Sequence, residues 1–133
     1  MDDEVRVLLD EARTQRRAGS AEDALQTYHR AAGHARHCGD AEGLACALRN
    51  VADLTRELDE PAASLIAAEE AVGLYRALGE GEALSLAHAL RLAALALEEA
   101  DRDAAAHWRE AQALYHECGE ADCAAECAAH LAG

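Results

Sequence analysis

The stretch AVGLYRALGEGE, residues 71–82, occurs in three related copies along this chain. The chain reads AQALYHECGEAD at 111–122 and, more loosely, AAGHARHCGDAE at 31–42, so the three copies are evenly spaced. Each copy has a glycine followed by an acidic residue, a pattern typical of the end of one helix and the beginning of the next. Self-similarity at a fixed period of about 20 to 50 residues indicates a stacked repeat architecture. The sequence therefore predicts stacked helical repeats with a period of about 40 residues.

The amino-acid composition favours helices throughout the length of the chain. Of 133 residues, 35 are alanine, one is proline and none is phenylalanine. Alanine has the highest helix propensity, and because it fills little space, a core made of it requires helices in close contact. The length is that of one domain, and we predict an all-α domain over residues 1–133.

The net charge and the cysteine content limit which partners and which cellular compartment are expected. The net charge is −14, and all 12 basic residues are arginine. Nucleic acids and anionic membranes require a cationic surface, so neither is expected as a partner. The acidic start MDDEVRVLLD is unlike an export signal, and the most apolar run, residues 83–97, is too short to span a bilayer. The five cysteines are an odd number that fits reduced thiols, and we expect a cytoplasmic protein.

Apolar residues recur at helical spacing in seven segments, each bounded by a turn signal. The predicted helices cover residues 2–18, 21–38, 41–58, 61–78, 82–100, 102–118 and 121–131. The fifth is apolar on nearly all sides, which predicts a buried, central position. The helices form three antiparallel hairpins, at residues 3–39, 40–79 and 80–119, and a terminal helix at 121–131. A closed bundle and an open superhelix both satisfy this arrangement, and the fixed period favours the superhelix.

The second helix of each hairpin carries a small residue, a large residue four positions later and an alanine three positions after that. The three sets are Ala24, Tyr28 and Ala31; Ser64, Ala68 and Ala71, with alanine replacing the large residue; and Ala104, Trp108 and Ala111. In these positions the chain resembles the tetratricopeptide repeat family over residues 3–119. Its period of about 40 residues exceeds the usual value of about 34 and resembles the longer-helix members. HEAT-like helix pairs are an alternative.

The resemblance implies a right-handed superhelix whose first helices line a concave groove that binds a peptide or protein segment, as an adaptor does. Helical periodicity places seven polar side chains of the first helices on or near that groove: Arg6, Arg13, Arg17, Arg49, Asn50, Arg56 and Arg91. One branch of the family holds a carboxyl terminus with basic and asparagine side chains, and Asn50 and Arg91 occupy comparable positions. We therefore expect a partner with an acidic segment or a free C-terminal carboxylate. Alternatively, these arginines pair with neighbouring carboxylates of the chain.

Four potential metal ligands lie close together near the carboxyl end: Cys118, Cys123, Cys127 and His130. The last three share one helix face, and Cys118 lies across the turn, so the four could complete a zinc site. The alternative is that the cysteines serve as small apolar residues facing the sixth helix. We expect solvent exposure or helix capping for a second group on the second helix, His34, His37 and Cys38.

The remaining sequence signals concern packing and alternatives to peptide binding. Tyr28 and Trp108 are expected in the core, and Tyr75 and Tyr115 between repeats with their hydroxyls outward. No phosphate loop or nucleophile elbow occurs, so we expect neither enzymatic activity nor a cofactor. The terminal helix, with Leu131 and an Ala/Cys face, could pair with a second copy as a homodimer. The cysteines could alternatively make the protein a metal- or thiol-responsive regulator.

Overall fold

The computed structural model describes residues 1–133 as seven α-helices and no strand. The helices are α1 (Asp3–Arg17), α2 (Ala21–Cys38), α3 (Ala41–Glu57), α4 (Pro61–Leu78), α5 (Ala83–Glu99), α6 (Ala105–Glu117) and α7 (Ala121–Ala132), and a 3-10 turn, Glu80–Glu82, precedes α5. The predicted all-α class is confirmed, and apart from the beginning of α6 every predicted boundary lies within one residue of the observed one. None of the helices combines the length and the apolar character needed to span a lipid bilayer.

The beginning of α6 lies three residues later than predicted, at Ala105. The preceding loop is held by Asp101, whose φ of 56° lies in the left-handed region, and by Asp103, which accepts the N–H of Ala105 at 2.9 Å. Aspartate tolerates such a backbone better than most residues and caps helix ends, so the two aspartates delay the helix.

Each helix packs against the next one along the chain, and two further contacts join α1 with α3 and α3 with α5. The interfaces are lined by alanines with no exposed surface, among them Ala12, Ala52 and Ala93 on the first helices of the hairpins. Tyr28 and Trp108 are 1% exposed, which confirms their predicted place in the core. Because alanine side chains are short, the helices approach closely enough to form one continuous core.

The apolar surface of α5 is only partly buried, which corrects the expectation of burial on nearly all sides. The helix contacts α3, α4 and α6. Leu90 is 1% exposed, but Leu84 is 37% exposed, and Leu86 and Leu95 are half-buried. One face of α5 therefore remains accessible to solvent.

The turn within residues 71–82 differs from the two related turns. Gly39 and Gly119 close their helices with φ of 73° and 74°, and the next helix follows after one residue. Gly79 has φ of 98° and ψ of −167°, and a 3-10 turn intervenes before α5. Gly81 stands where the related copies have Ala41 and Ala121. Since glycine has a much lower helix propensity than alanine, the helix begins two residues later in the repeat.

Gly43 permits a close approach between α3 and the start of α1. Asp40 caps α3 by accepting the N–H of Gly43 at 2.9 Å and also accepts the N–H of Asp2 at 2.9 Å. A Cβ atom at position 43 would lie 2.3 Å from Oδ2 of Asp40 and 2.7 Å from Cγ1 of Val5. A side chain at position 43 would therefore displace both the cap of α3 and the packing of Val5.

We expect Gly43→Ala to lower the free energy of unfolding by about 1 to 3 kcal/mol, through overpacking and loss of the cap. Gly33→Ala and Gly73→Ala are matched controls within helices, because a Cβ atom at either position meets nothing within 4 Å. Each should raise stability by about 0.5 to 1 kcal/mol through helix propensity. Urea unfolding followed by circular dichroism measures all three, and equal effects would contradict the role of Gly43.

Candidate functional site

A small polar cleft of about 140 Å³ lies between α3 and α5. It is lined by Arg49, Asn50 and Asp53 of α3 and by His88, Arg91 and Leu92 of α5. Three of these residues, Arg49, Asn50 and Arg91, are among the seven predicted for the groove. The direct contact between α3 and α5 brings them together, although Asn50 and Arg91 belong to different hairpins.

Arg49 has no carboxylate partner in this cleft. Its Nε donates to the Tyr75 hydroxyl at 3.4 Å. The other half-buried arginines, Arg16, Arg56 and Arg91, each have a carboxylate within 4.0 Å. Burial opposes the charge of Arg49, but the Tyr75 hydroxyl, with Cys46 and Asp53, raises its pKa, so the guanidinium stays charged. Arg49 is thus the one half-buried arginine whose charge is left without a counter-ion.

Asp53 lines the same cleft as Arg49 but is bound by two other arginines. Its Oδ2 accepts from Arg16 of α1 at 2.8 Å, and its Oδ1 lies 3.6 Å from Arg56. Arg91 is paired with α7, because its Nε donates to Glu126 at 2.8 Å. The only carboxylate that lines the cleft is therefore already shared between two other guanidinium groups.

Asn50 lines the cleft, and its amide nitrogen is bonded within α3. Its Nδ2 donates to the main-chain oxygen of Cys46 at 2.9 Å, one turn earlier in α3. This contact fixes the amide group against its own helix. Asn50 is half-buried, so the side chain remains accessible from the cleft.

Two buried tyrosine hydroxyls contact residues that line the cleft. Nδ1 of His88 lies 2.8 Å from the Tyr115 hydroxyl, and the Tyr75 hydroxyl meets Arg49. Both tyrosines are at most 3% exposed, so the expectation that their hydroxyls point outward is wrong. Burial lowers the pKa of His88, and the charges of Arg49 and Arg91 lower it further, which favours the neutral imidazole. Burial also raises the pKa of Tyr115.

The other predicted groove arginines do not line this cleft. Arg6 lies 3.9 Å from Asp3, and Arg13 binds Asp10 at 2.8 Å, both within α1. Arg17 is exposed. The structure therefore does not place these three arginines in one site. Arg6 and Arg13 instead pair with neighbouring carboxylates, which was the alternative expectation.

Arg56, the last predicted groove residue, does not line the cleft but links α3 to α5. Its guanidinium lies 3.6 Å from Asp53 and 4.0 Å from Glu99. Arg16, which the sequence analysis missed, holds the equivalent position in the preceding repeat and binds Asp53 at 2.8 Å and Glu57 at 2.6 Å. The shared repeat position of these two arginines was the signal that could have identified Arg16.

A second repeated feature joins the second helices of the hairpins. Arg36 of α2 binds Glu70 of α4 through both terminal nitrogens, and Arg76 of α4 binds Glu110 of α6 in the same way. We call these two pairs the Arg–Glu clamps. Each arginine lowers the pKa of its glutamate through hydrogen bonds. Both members of the first clamp recur in the next repeat, so the clamps follow the repeat of the sequence.

The structure does not assemble the four predicted metal ligands near the carboxyl end. Cys118 is exposed, Cys123 is half-buried and Cys127 is buried in the core, where burial raises the pKa of its thiol. His130 stacks on Trp108 with ring centroids 4.0 Å apart and binds Glu98 at 2.9 Å. Because the core and these contacts take up Cys127 and His130, the ligand atoms do not converge on one point.

The face of α7 that suggested a homodimer is covered within the chain. Ala124 and Cys127 are buried, and Cys123 and Leu131 pack against the common core. The helix packs on α6, and Glu126 binds Arg91 of α5. The apolar face of α7 is therefore buried against the rest of the protein.

No protein-family model matches this chain, and a search of curated proteins gives no significant match.

We expect His88→Gln to weaken the dependence of stability on pH. Because the folded protein lowers the pKa of His88, the unfolded chain binds the proton first as the pH falls. The stability that neutral His88 contributes is complete above the unfolded pKa of about 6.5 and is lost as the pH falls towards the lower folded pKa. The groups facing His88 are Arg49, Arg91, Glu120 and Tyr115.

Urea unfolding between about pH 7.5 and about pH 5 measures this difference. The variant should lose less stability than the wild type over that interval. The exposed His37→Gln variant is the matched control. An unchanged slope in His88→Gln, or an equal change in His37→Gln, would contradict the expectation.

Proposed function

We propose that this chain is a tetratricopeptide-like adaptor, a right-handed superhelix without enzymatic activity, which binds the carboxyl terminus of a peptide or protein in the cleft between α3 and α5. In this proposal α1, α3 and α5 line the concave surface. The direct contacts of α1 with α3 and of α3 with α5 support it. By contrast, α2, α4 and α6 are linked by long side chains, namely the Arg–Glu clamps and the pair His107 and Glu69, whose atoms lie 2.7 Å apart. A stack curves towards the helices that lie closer together.

The observation that carries the proposal is the unpaired charge of Arg49. Its half-buried guanidinium has no carboxylate within 4.0 Å and faces a cleft that also holds Asn50 and Arg91. Arginine binds carboxylates with two parallel hydrogen bonds, and partial burial strengthens such a bond. A carboxylate in this cleft would neutralise Arg49 and could share Arg91 with Glu126.

The size and charge of the protein favour one carboxylate over a long acidic segment. The cleft volume of about 140 Å³ accommodates a single group of that size. The chain has a net charge of −14, so an extended acidic segment is repelled at long range. A free carboxyl terminus on an otherwise neutral peptide avoids this repulsion. The odd number of free cysteines supports a reducing, cytoplasmic setting for such a partner.

The test is a peptide array in which every random sequence is present with a free and with an amidated carboxyl terminus. We expect the protein to select free termini, and fluorescence anisotropy then gives the affinity of the best sequences. Arg49→Gln combined with Arg91→Gln should weaken binding at least about tenfold, because each lost charged hydrogen bond costs about 1.5 to 3 kcal/mol.

The matched control is Arg30→Gln combined with Arg109→Gln. It removes two positive charges, as the test variant does, but from α2 and α6. Both residues are exposed. This control should bind as the wild type does, and circular dichroism should show the same helix content in all variants. Equal binding of amidated peptides, or an equal loss in both double variants, would overturn the proposal.

A further inference from the structure

Three potential metal ligands of different chemistry meet where the start of α1 lies against the end of α2. They are the carboxylate of Asp2, the imidazole of His34 and the thiol of Cys38, and their ligand atoms all lie within 4.8 Å of one another. This is the one such group in the protein. We propose that these three side chains bind a zinc ion whose fourth coordination position is open to solvent.

The distance between the imidazole of His34 and the carboxylate of Asp2 fits tetrahedral zinc. Nε2 of His34 lies 3.3 Å from Oδ2 of Asp2. With Zn–N and Zn–O bonds of about 2.0 to 2.1 Å, a tetrahedral angle separates two ligand atoms by about 3.3 to 3.4 Å. Cys38 follows His34 by four residues in α2, so both side chains lie on one face of the helix.

The position of Asp2 is fixed by contacts that do not involve a metal. Its main-chain N–H donates to Asp40 at 2.9 Å, and its own Oδ2 accepts the N–H of Val5 at 3.0 Å as the cap of α1. The carboxylate is therefore held in front of His34 before any metal binds. Only the exposed thiol of Cys38 has to turn and release its proton to solvent.

The ligand set selects zinc over the hard divalent cations. Thiolate and imidazole bind zinc well, whereas magnesium and calcium prefer sets made of oxygen alone. A net charge of −14 attracts any cation weakly. Magnesium is therefore the control that measures unspecific binding of a divalent cation. Zinc at this site would tie the start of α1 to the end of α2 and stabilise the folded chain, because the unfolded chain has no such site.

Calorimetry on the full chain, reduced, metal-free and without an affinity tag, tests the site with Zn²⁺ as the probe. We expect one zinc per chain, a rise in Tm with zinc, and no comparable binding of Mg²⁺. Co²⁺ should give the charge-transfer absorption of a thiolate ligand, and Cys38→Ser should remove it. His34→Gln should weaken zinc binding at least about tenfold, since even loss of an outer-shell partner costs about tenfold or more.

Three further variants complete the design. Asp2→Asn retains a residue that caps helices and removes the charge, so it should weaken zinc binding without unfolding α1. His37→Gln changes an exposed neighbour, and Cys123→Ser changes the cysteine group near the carboxyl end, so both should bind zinc as the wild type does. Absence of stoichiometric binding, or binding that survives His34→Gln and Cys38→Ser, would overturn the proposal. Loss of binding in Cys123→Ser would overturn it as well.

Discussion

Alanine side chains lie between neighbouring helices of this protein, and their size sets the distance between those helices. Ala12, Ala52 and Ala93 have no exposed surface and occupy the first helices of the three hairpins. Because a methyl group lets backbones approach closely, α3 reaches both α1 and α5 in addition to its neighbours along the chain. Larger side chains at these positions would force the helices apart. The cleft that holds Arg49 and Arg91 depends on that spacing.

The helices were predictable because repeat, periodicity and turn residues agree. Glycine followed by an acidic residue recurs once in each repeat and defines the ends of α2, α4 and α6. The meeting of Asn50 and Arg91 was also predictable, because both belong to first helices that stack. The unpaired state of Arg49 was not, since it depends on Asp53 being bound by Arg16 of another helix. Helical periodicity describes one helix at a time, so it cannot show which arginine of another helix binds Asp53.

The two groups of potential metal ligands show that residues close in sequence need not be close in space, and that distant ones can be. Near the carboxyl end, His130 contacts Trp108 and Glu98, because its ring stacks on the indole and lies 2.9 Å from the carboxylate. The potential ligands near the carboxyl end are therefore close in sequence but do not form one metal site. By contrast, Asp2 precedes α1 and His34 lies near the end of α2, yet their side chains are 3.3 Å apart in space. No spacing rule links these two residues, since the return of α2 along α1 brings them together.

The Arg–Glu clamps end where the repeat ends, and this has a consequence for polymerisation. The position equivalent to Glu70 and Glu110 in the first hairpin is Arg30, and the position equivalent to Arg36 and Arg76 in the third is His116. Because α7 follows α6 and packs on it, a second copy added head to tail in the same register would first have to displace α7. It would then place Arg30 against His116, two basic side chains without a carboxylate. Hairpins of different chains would therefore lack the interaction that links hairpins within one chain, and this disfavours growth of a fibre from many chains.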